Sequence, residues 1–169
     1  MLSAFGQTDL ALHMITKSEF PSYGYWIDHG ATTFWELFTP ISTEQSSCNH
    51  HFFGDILSWF VRNLAGIRFD PDYNGSGTVR IEPHFPESMS FAEAEMKVSY
   101  KDENAVVRSK WYRDGEKIVL ITSIPNGMKA VLKLDSKWQC EEGYACLHLE
   151  GEQEISLIPA GHRNIYDFS

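Results

Sequence analysis

The residues best equipped for chemistry lie between Tyr23 and Phe38, in the run YGYWIDHGATTFWELF. Two carboxylates, Asp28 and Glu36, sit there among Tyr25, Trp26, His29, Phe34 and Trp35. A carboxylate set against indole rings in a cleft loses solvation, which tunes it as a general acid or base. Glycoside hydrolysis relies on that setting. Glu36 also has a purely local reading. Thr33-x-x-Glu36 has the spacing of a helix-capping box, in which the glutamate returns a bond to the Thr33 amide. Asn49-His50-His51 follows. Neighbouring histidines on a helix point about 100° apart, so the pair does not share one metal comfortably. One of them could donate a hydrogen bond to a substrate hydroxyl while the other packs. Asp70, Asp72 and Asn74 begin like a calcium loop. However, Pro71 interrupts the run and Ile81 stands where the closing glutamate belongs, so the segment reads as a turn. No Gly-rich phosphate loop, Ser-His-Asp order or zinc spacing is present, and neither a metal nor a cofactor is expected.

These side chains must be positioned by elements of two kinds. Up to about residue 66 the pattern is helical. Thr8 is placed to cap a helix over about residues 9–17. Phe20 to Gly30, with one Pro and two Gly, reads as a loop. A short helix over about Thr33 to Phe38 would stop near Pro40. The longest helix is expected from about Ser47 to Ala65. It carries Phe53, Ile56, Leu57, Phe60 and Leu64 on one face and ends at Gly66. It is also apolar at Phe52, Trp59 and Val61, which suits a helix inside a larger helical assembly.

Phe69 to Thr78 reads as a linker, and beyond it the period changes to two. Ala92, Ala94, Met96, Val98 and Tyr100 alternate with polar residues, and Val107, Ser109 and Trp111 continue the theme. Asp114-Gly115 before KIVLITSI signals a hairpin. Pro125-Asn126-Gly127 makes the next turn, before the alternating run from Met128 to Leu134. Further strands are expected near Ala145 to Leu149 and Glu154 to Ile158. The reading is α+β: N-terminal helices, then an antiparallel β-sandwich, divided as 1–77 and 78–169.

Composition narrows the partners. The 169 residues carry 14 Lys+Arg against 23 Asp+Glu, a net charge of −9 that argues against nucleic acid. No apolar run approaches the roughly 20 residues of a membrane span. The N-terminus lacks the features of a signal peptide, which favours a cytoplasmic location. Cys48, Cys140 and Cys146 read as free thiols. Aromatic residues make up 14% of the chain, enough to serve both a core and a sugar platform.

Four blocks carry a family resemblance: PSYGYWIDHGATTFWE (21–36), NHHFFG (49–54), Trp59-Phe60 and LAGI (64–67). In order and spacing they resemble the C-terminal end of bacterial α-L-rhamnosidases of glycoside hydrolase family 78. The likeness is strongest over about residues 1–85. It implies the end of an (α/α)6 catalytic barrel followed by a small β-sandwich, an inverting hydrolysis, and a rhamnose-containing carbohydrate as partner. Inverting enzymes hold two carboxyls roughly 6.5–9.5 Å apart, leaving room for a water. In the resemblance Glu36 matches the general base and His50 the histidine that contacts rhamnose, while Trp35 and Trp26 could wall the pocket. The family's general acid lies far upstream, and nothing in this chain matches it. The chain therefore reads as a fragment with a base and no acid, inactive alone. Two other readings remain: a non-catalytic carbohydrate-binding module, and a piece that self-associates as a homo-oligomer through its exposed helical face.

Overall fold

The computed structural model describes residues 2–39, 46–69, 78–100 and 103–161. The aspartates of the calcium-like run, most of the expected linker and Pro40 fall outside these residues. A 3-10 turn, Leu2–Phe5, leads into helix α1, Thr8–Thr16. Thr8 does not cap it. Gln7 precedes the helix, no side chain caps its first turn, and Thr8 is buried as the first helical residue.

The Phe20 to Gly30 segment is not simply a loop, because it contains helix α2, Tyr23–Asp28. Ser22 explains it. Its Oγ accepts from the Tyr25 amide at 2.8 Å and donates to the Lys17 carbonyl, so one buried hydroxyl starts α2 and ties it to the end of α1. Gly24 permits the approach, since a Cβ there would lie 2.3 Å from the Thr16 carbonyl oxygen. Ser22→Ala removes the cap and should lower stability by about 1 kcal/mol, read as a shift in the urea midpoint.

The expected helix over Thr33 to Phe38 does not form. That segment instead runs beside residues 47–50, where the Glu36 amide donates to the Ser47 carbonyl and the Phe34 carbonyl accepts from the His50 amide. The long helix is also shorter than its periodicity suggests. Residues 51–55 form turns, and only α3, Ile56–Trp59, and a continuing π-helical stretch, Phe60–Ala65, are helical. Side chains compete for the backbone at its expected start. Ser47 Oγ takes the Asn49 amide, and His50 Nδ1 takes the Phe52 amide. The C-terminal stop is where the sequence places it. Gly66 adopts φ 84°, in the left-handed region, and its carbonyl accepts from the Glu82 amide at 2.8 Å.

Among the described residues nine strands follow in two sheets. They are β1 Ile67–Phe69, β2 Val79–Ile81, β3 Phe91–Tyr100, β4 Glu103–Asp114, β5 Lys117–Ile124, β6 Ala130–Lys133, β7 Trp138–Cys140, β8 Cys146–Leu149 and β9 Gly151–Pro159. One sheet has the order β1-β2-β6-β8, the other β3-β4-β5-β9-β7. All pairs are antiparallel except β2 with β6, which are parallel. Asp114 pairs with Lys117 across the expected hairpin turn. Both sheets feed one core, in which Ile67, Ile81, Val107, Trp111, Ile118, Leu120, Leu132 and Leu157 are fully buried.

That core reaches into the helical part. The last carbonyls of a helix have no partner inside it. Here Trp111 Nε1 donates to the Leu64 carbonyl at 2.8 Å, and Ser109 Oγ to the Ala65 carbonyl at 2.6 Å. Asp9 at the start of α1 accepts from the Glu87 amide at 2.7 Å. All three cysteines are free thiols, with Cys140 buried and the others exposed.

Candidate functional site

Tyr23 and Trp26, one turn apart on α2, organise the region around Glu36. The Tyr23 ring meets Trp26, Phe34, Phe38 and Phe53 edge-on, with centroids 5.2–6.4 Å apart. Its hydroxyl donates to the Phe53 carbonyl at 3.0 Å. Burial, and then the Asp55 carboxylate, push this phenol above its ordinary value, so it remains a donor. Trp26 is 2% exposed and stacks on Phe38 at 4.4 Å. Its Nε1 donates to the Leu37 carbonyl at 3.1 Å, which pins the irregular 33–38 segment from behind.

Pairing with residues 47–50 fixes the front of that segment. The His50 amide donates to the Phe34 carbonyl at 2.8 Å, and the Glu36 amide to the Ser47 carbonyl at 2.9 Å. Glu36 does not close a capping box. Its Oε2 accepts from the Ser47 amide at 2.9 Å, while the Thr33 hydroxyl donates to the Cys48 carbonyl. Thr33 cannot receive the glutamate as a helix start because no helix starts there. Among the described residues Glu36 Oε1 has no partner, so one oxygen is anchored and the other is available.

His50 lies on the paired segment and stacks on His51 with centroids 5.0 Å apart. Its Nδ1 accepts from the Phe52 amide at 3.1 Å, which assigns the ring proton of the neutral form to Nε2. The outer nitrogen is thus a donor. Trp35, half-buried between Phe34 and Glu36, has its centroid 6.1 Å from Trp26. Its indole N–H is unpartnered among the described residues.

The structure thus brings Trp35, Glu36 and His50 onto one pair of chain segments, with Trp26 behind them. It does not bring Asp28 to Glu36: Asp28 ends α2, exposed, and no hydrogen bond or ion pair joins the two among the described residues. Ser47, which anchors the carboxylate, has no sequence signal, because its role depends on the pairing of residues 34–36 with 47–50. A cavity of about 400 Å³ adjoins the cluster. Ile15, Tyr23, Trp26, Phe34, Ile56 and Leu57 line it, and neither Glu36 nor His50 reaches its wall. Among the described residues no group of three or more His, Cys, Asp or Glu side chains gathers to hold a metal. No helix among them is long and apolar enough to cross a membrane.

The family described as the bacterial α-L-rhamnosidase six-hairpin glycosidase domain matches residues 1–64. An α-L-rhamnosidase of Streptomyces avermitilis is 31% identical over 132 residues, 74% of this chain and 12% of that protein. One from Alteromonas sp. is 33% identical over 100 residues, 55% of this chain and 11% of its own length. Among solved structures, the α-L-rhamnosidase from Dictyoglumus thermophilum superposes with TM-score 0.76 at 24% identity, covering 93% of this chain and 19% of that one. The S. avermitilis enzyme complexed with L-rhamnose gives 0.70 at 27% identity, over 92% of this chain and 16% of its own. The chain spans only a small part of the relatives it matches. It resembles the bacterial α-L-rhamnosidases and matches a fragment of those large proteins, consistent with their C-terminal part.

Proposed function

We propose that this chain carries the base side of an inverting α-L-rhamnosidase site and is inactive without the rest of the barrel. The observation that supports the reading is the pairing of residues 34–36 with 47–50, which puts Trp35 and Glu36 on one segment and His50 on its neighbour, with the Glu36 carboxylate on the Ser47 amide. In this reading Glu36 Oε1 takes the proton from the attacking water while Oε2 stays on the Ser47 amide. His50 Nε2–H donates to a hydroxyl of the rhamnose, and Trp35, backed by Trp26, walls the sugar. The acid that protonates the leaving oxygen comes from outside this sequence. Without it about 10²–10⁴ in rate is forfeited, before any loss of orientation. In this reading the helical elements up to Ala65 are the barrel portion, and the two sheets, which begin with β1 at Ile67, are the accessory sandwich.

Two measurements test this. An aryl α-L-rhamnoside should show no turnover above a Glu36→Gln control, and a clear Glu36-dependent rate would overturn the inactivity. In an NMR titration with L-rhamnose, the amides of residues 34–36 and 47–50 should respond together; a response confined to other residues would remove the site assignment.

The alternatives, a carbohydrate-binding or self-associating module, draw on a different observation. Ile27 and Leu57, which line the apolar cavity, are 70% and 57% exposed, and Phe5, elsewhere on the helical part, is 74% exposed. Contiguous apolar surface of this kind usually meets a partner. Sedimentation velocity should therefore show self-association as concentration rises, and a monomer that binds no hydrophobic dye would sink that reading.

A further inference from the structure

Strand β3 pairs with β4 over its whole length, Phe91 to Tyr100, without a break in register, and it is the edge of the five-stranded sheet. Opposed residues in an antiparallel pair alternate between those that exchange hydrogen bonds and those that do not. The Arg113 amide donates to the Ser90 carbonyl at 2.9 Å, so the even-numbered residues of β3 turn their amides and carbonyls towards β4. Those of Phe91, Glu93, Glu95 and Lys97 point away from the sheet, and among the described residues nothing pairs with them. Exposed edges are commonly interrupted by proline, glycine or a bulge. The strand FAEAEMKVSY has none of these.

Its side chains carry a self-complementary pattern. Glu93, Glu95 and Lys97 are exposed on the outer face, while Ala92, Ala94, Met96 and Val98 lie on the inner one. Lys110 Nζ lies 3.4 Å from Glu93 Oε2, and Arg108 Nε lies 2.8 Å from Glu95 Oε1. Lys97 stands opposite Val106 and has no ion pair among the described residues. A two-fold axis would pair β3 antiparallel with its own copy, repeating every contact twice. Centred on Met96, that pairing sets Glu95 against Lys97 of the second copy, and Lys97 against Glu95 of the second copy. Both are residues whose amides point outward. Centred instead on Glu95 or on Lys97, it sets two carboxylates or two ammonium groups face to face at the axis, which is unfavourable.

The inner face agrees with the same register. Beside Ala92 and Ala94 runs a groove of about 440 Å³, whose opposite wall is Phe60, Val61 and Leu64. Pairing about Met96 puts Val98 of the second copy opposite Ala94, on the face that borders this groove. An apolar side chain is thereby added where the single chain has only small ones.

We propose that β3 is a docking edge for a second copy of this chain, which joins antiparallel about Met96 and makes the two five-stranded sheets continuous. This surface is distinct from the exposed helical face, and it does not depend on the role assigned to Glu36.

The experiment is sedimentation velocity of the whole chain at rising concentration, with amide hydrogen exchange read by NMR on the same samples. A dimer should form as concentration rises. Exchange at the amides of Glu93, Glu95 and Lys97 should then slow by about tenfold, whereas the even-numbered amides, already bonded to β4, respond less. Glu95→Lys places like charges opposite each other twice and should raise the dissociation constant about tenfold, as should Lys97→Glu. Carrying both substitutions together restores opposite charges across the axis and should recover the original affinity. All of them lie at exposed positions and leave the bonds to β4 in place. A monomer at every concentration would overturn the proposal. So would a dimer in which the amides of Glu93, Glu95 and Lys97 exchange as fast as in the monomer, or one weakened by Leu57→Asp and indifferent to the charge variants, since either result moves the contact to another surface. Failure of the double substitution to recover affinity would overturn the register about Met96.

Discussion

Replacing Trp111 with alanine is expected to cost about 4 kcal/mol or more of unfolding free energy. The ring is fully buried between the sheets and meets Phe85 edge-on at 5.1 Å. Removing a buried aromatic typically costs about 3–5 kcal/mol through lost burial and the cavity left behind. Here a second loss is added. The Trp111 indole N–H is the partner of the Leu64 carbonyl, and a buried carbonyl left alone costs about 1–3 kcal/mol. Domains of this size are commonly stable by only about 5–15 kcal/mol, so the variant should sit near the edge of folding. Trp111→Phe separates the two contributions, because it keeps most of the ring and removes the donor. Urea denaturation followed by far-UV circular dichroism would measure both. A change below about 1 kcal/mol for the alanine variant would mean that the ring does not hold the two sheets together.

Gly66→Ala is expected to cost about 3 kcal/mol, although it adds one methyl group. Two effects combine. At φ 84° an L side chain sits in the left-handed region, which costs roughly 1–2 kcal/mol. The new Cβ would also lie 2.3 Å from the Pro83 nitrogen and 2.6 Å from the Glu82 carbonyl carbon. Those are backbone atoms and cannot swing aside, so the chain must shift and loosen the bond from the Glu82 amide to the Gly66 carbonyl. Gly115→Ala is the control. Its φ is also positive, 61°, but nothing lies within 4 Å of its Cβ, so it should show the conformational cost alone. Equal losses at the two positions would remove the steric part of the argument.

The two halves of the chain were unequally legible. Strands β3 and β4 could be read from alternation, and β5 from the turn residues that bound it, Asp114-Gly115 and Pro125-Asn126-Gly127. Strands β1, β2 and β7 have three residues each, too few to show a period. The helical half misled for a physical reason. Thr33-x-x-Glu36 and the apolar run from Phe52 are good local signals for helices. Yet the amides of Glu36 and His50 find their partners on a neighbouring segment, and Ser47 and His50 side chains take amides that a helix would need. Tertiary pairing overrode local preference. Glu36, His50 and Trp35 stood out in the family-like blocks, and the structure gathers them. The anchoring of Glu36 by Ser47 was hidden, because the two residues meet only through the pairing of their segments.

The parallel pairing of β2 with β6 has a kinetic side. Val79 meets Ala130 only after the whole β3–β4–β5 meander has been laid down between them, whereas β3 pairs with β4 and β4 with β5, each the strand next in sequence. Joining such distant segments costs chain entropy before any contact is gained, and folding slows as the mean separation of contacting residues grows. The four-stranded sheet, with β1 at its edge beside the end of the helical part, therefore depends on the slowest pairing in the fold. Until that sheet closes, Ile81 and Leu132 lack the cover it gives them, and the exposed edge of β2 is open to pairing with another chain.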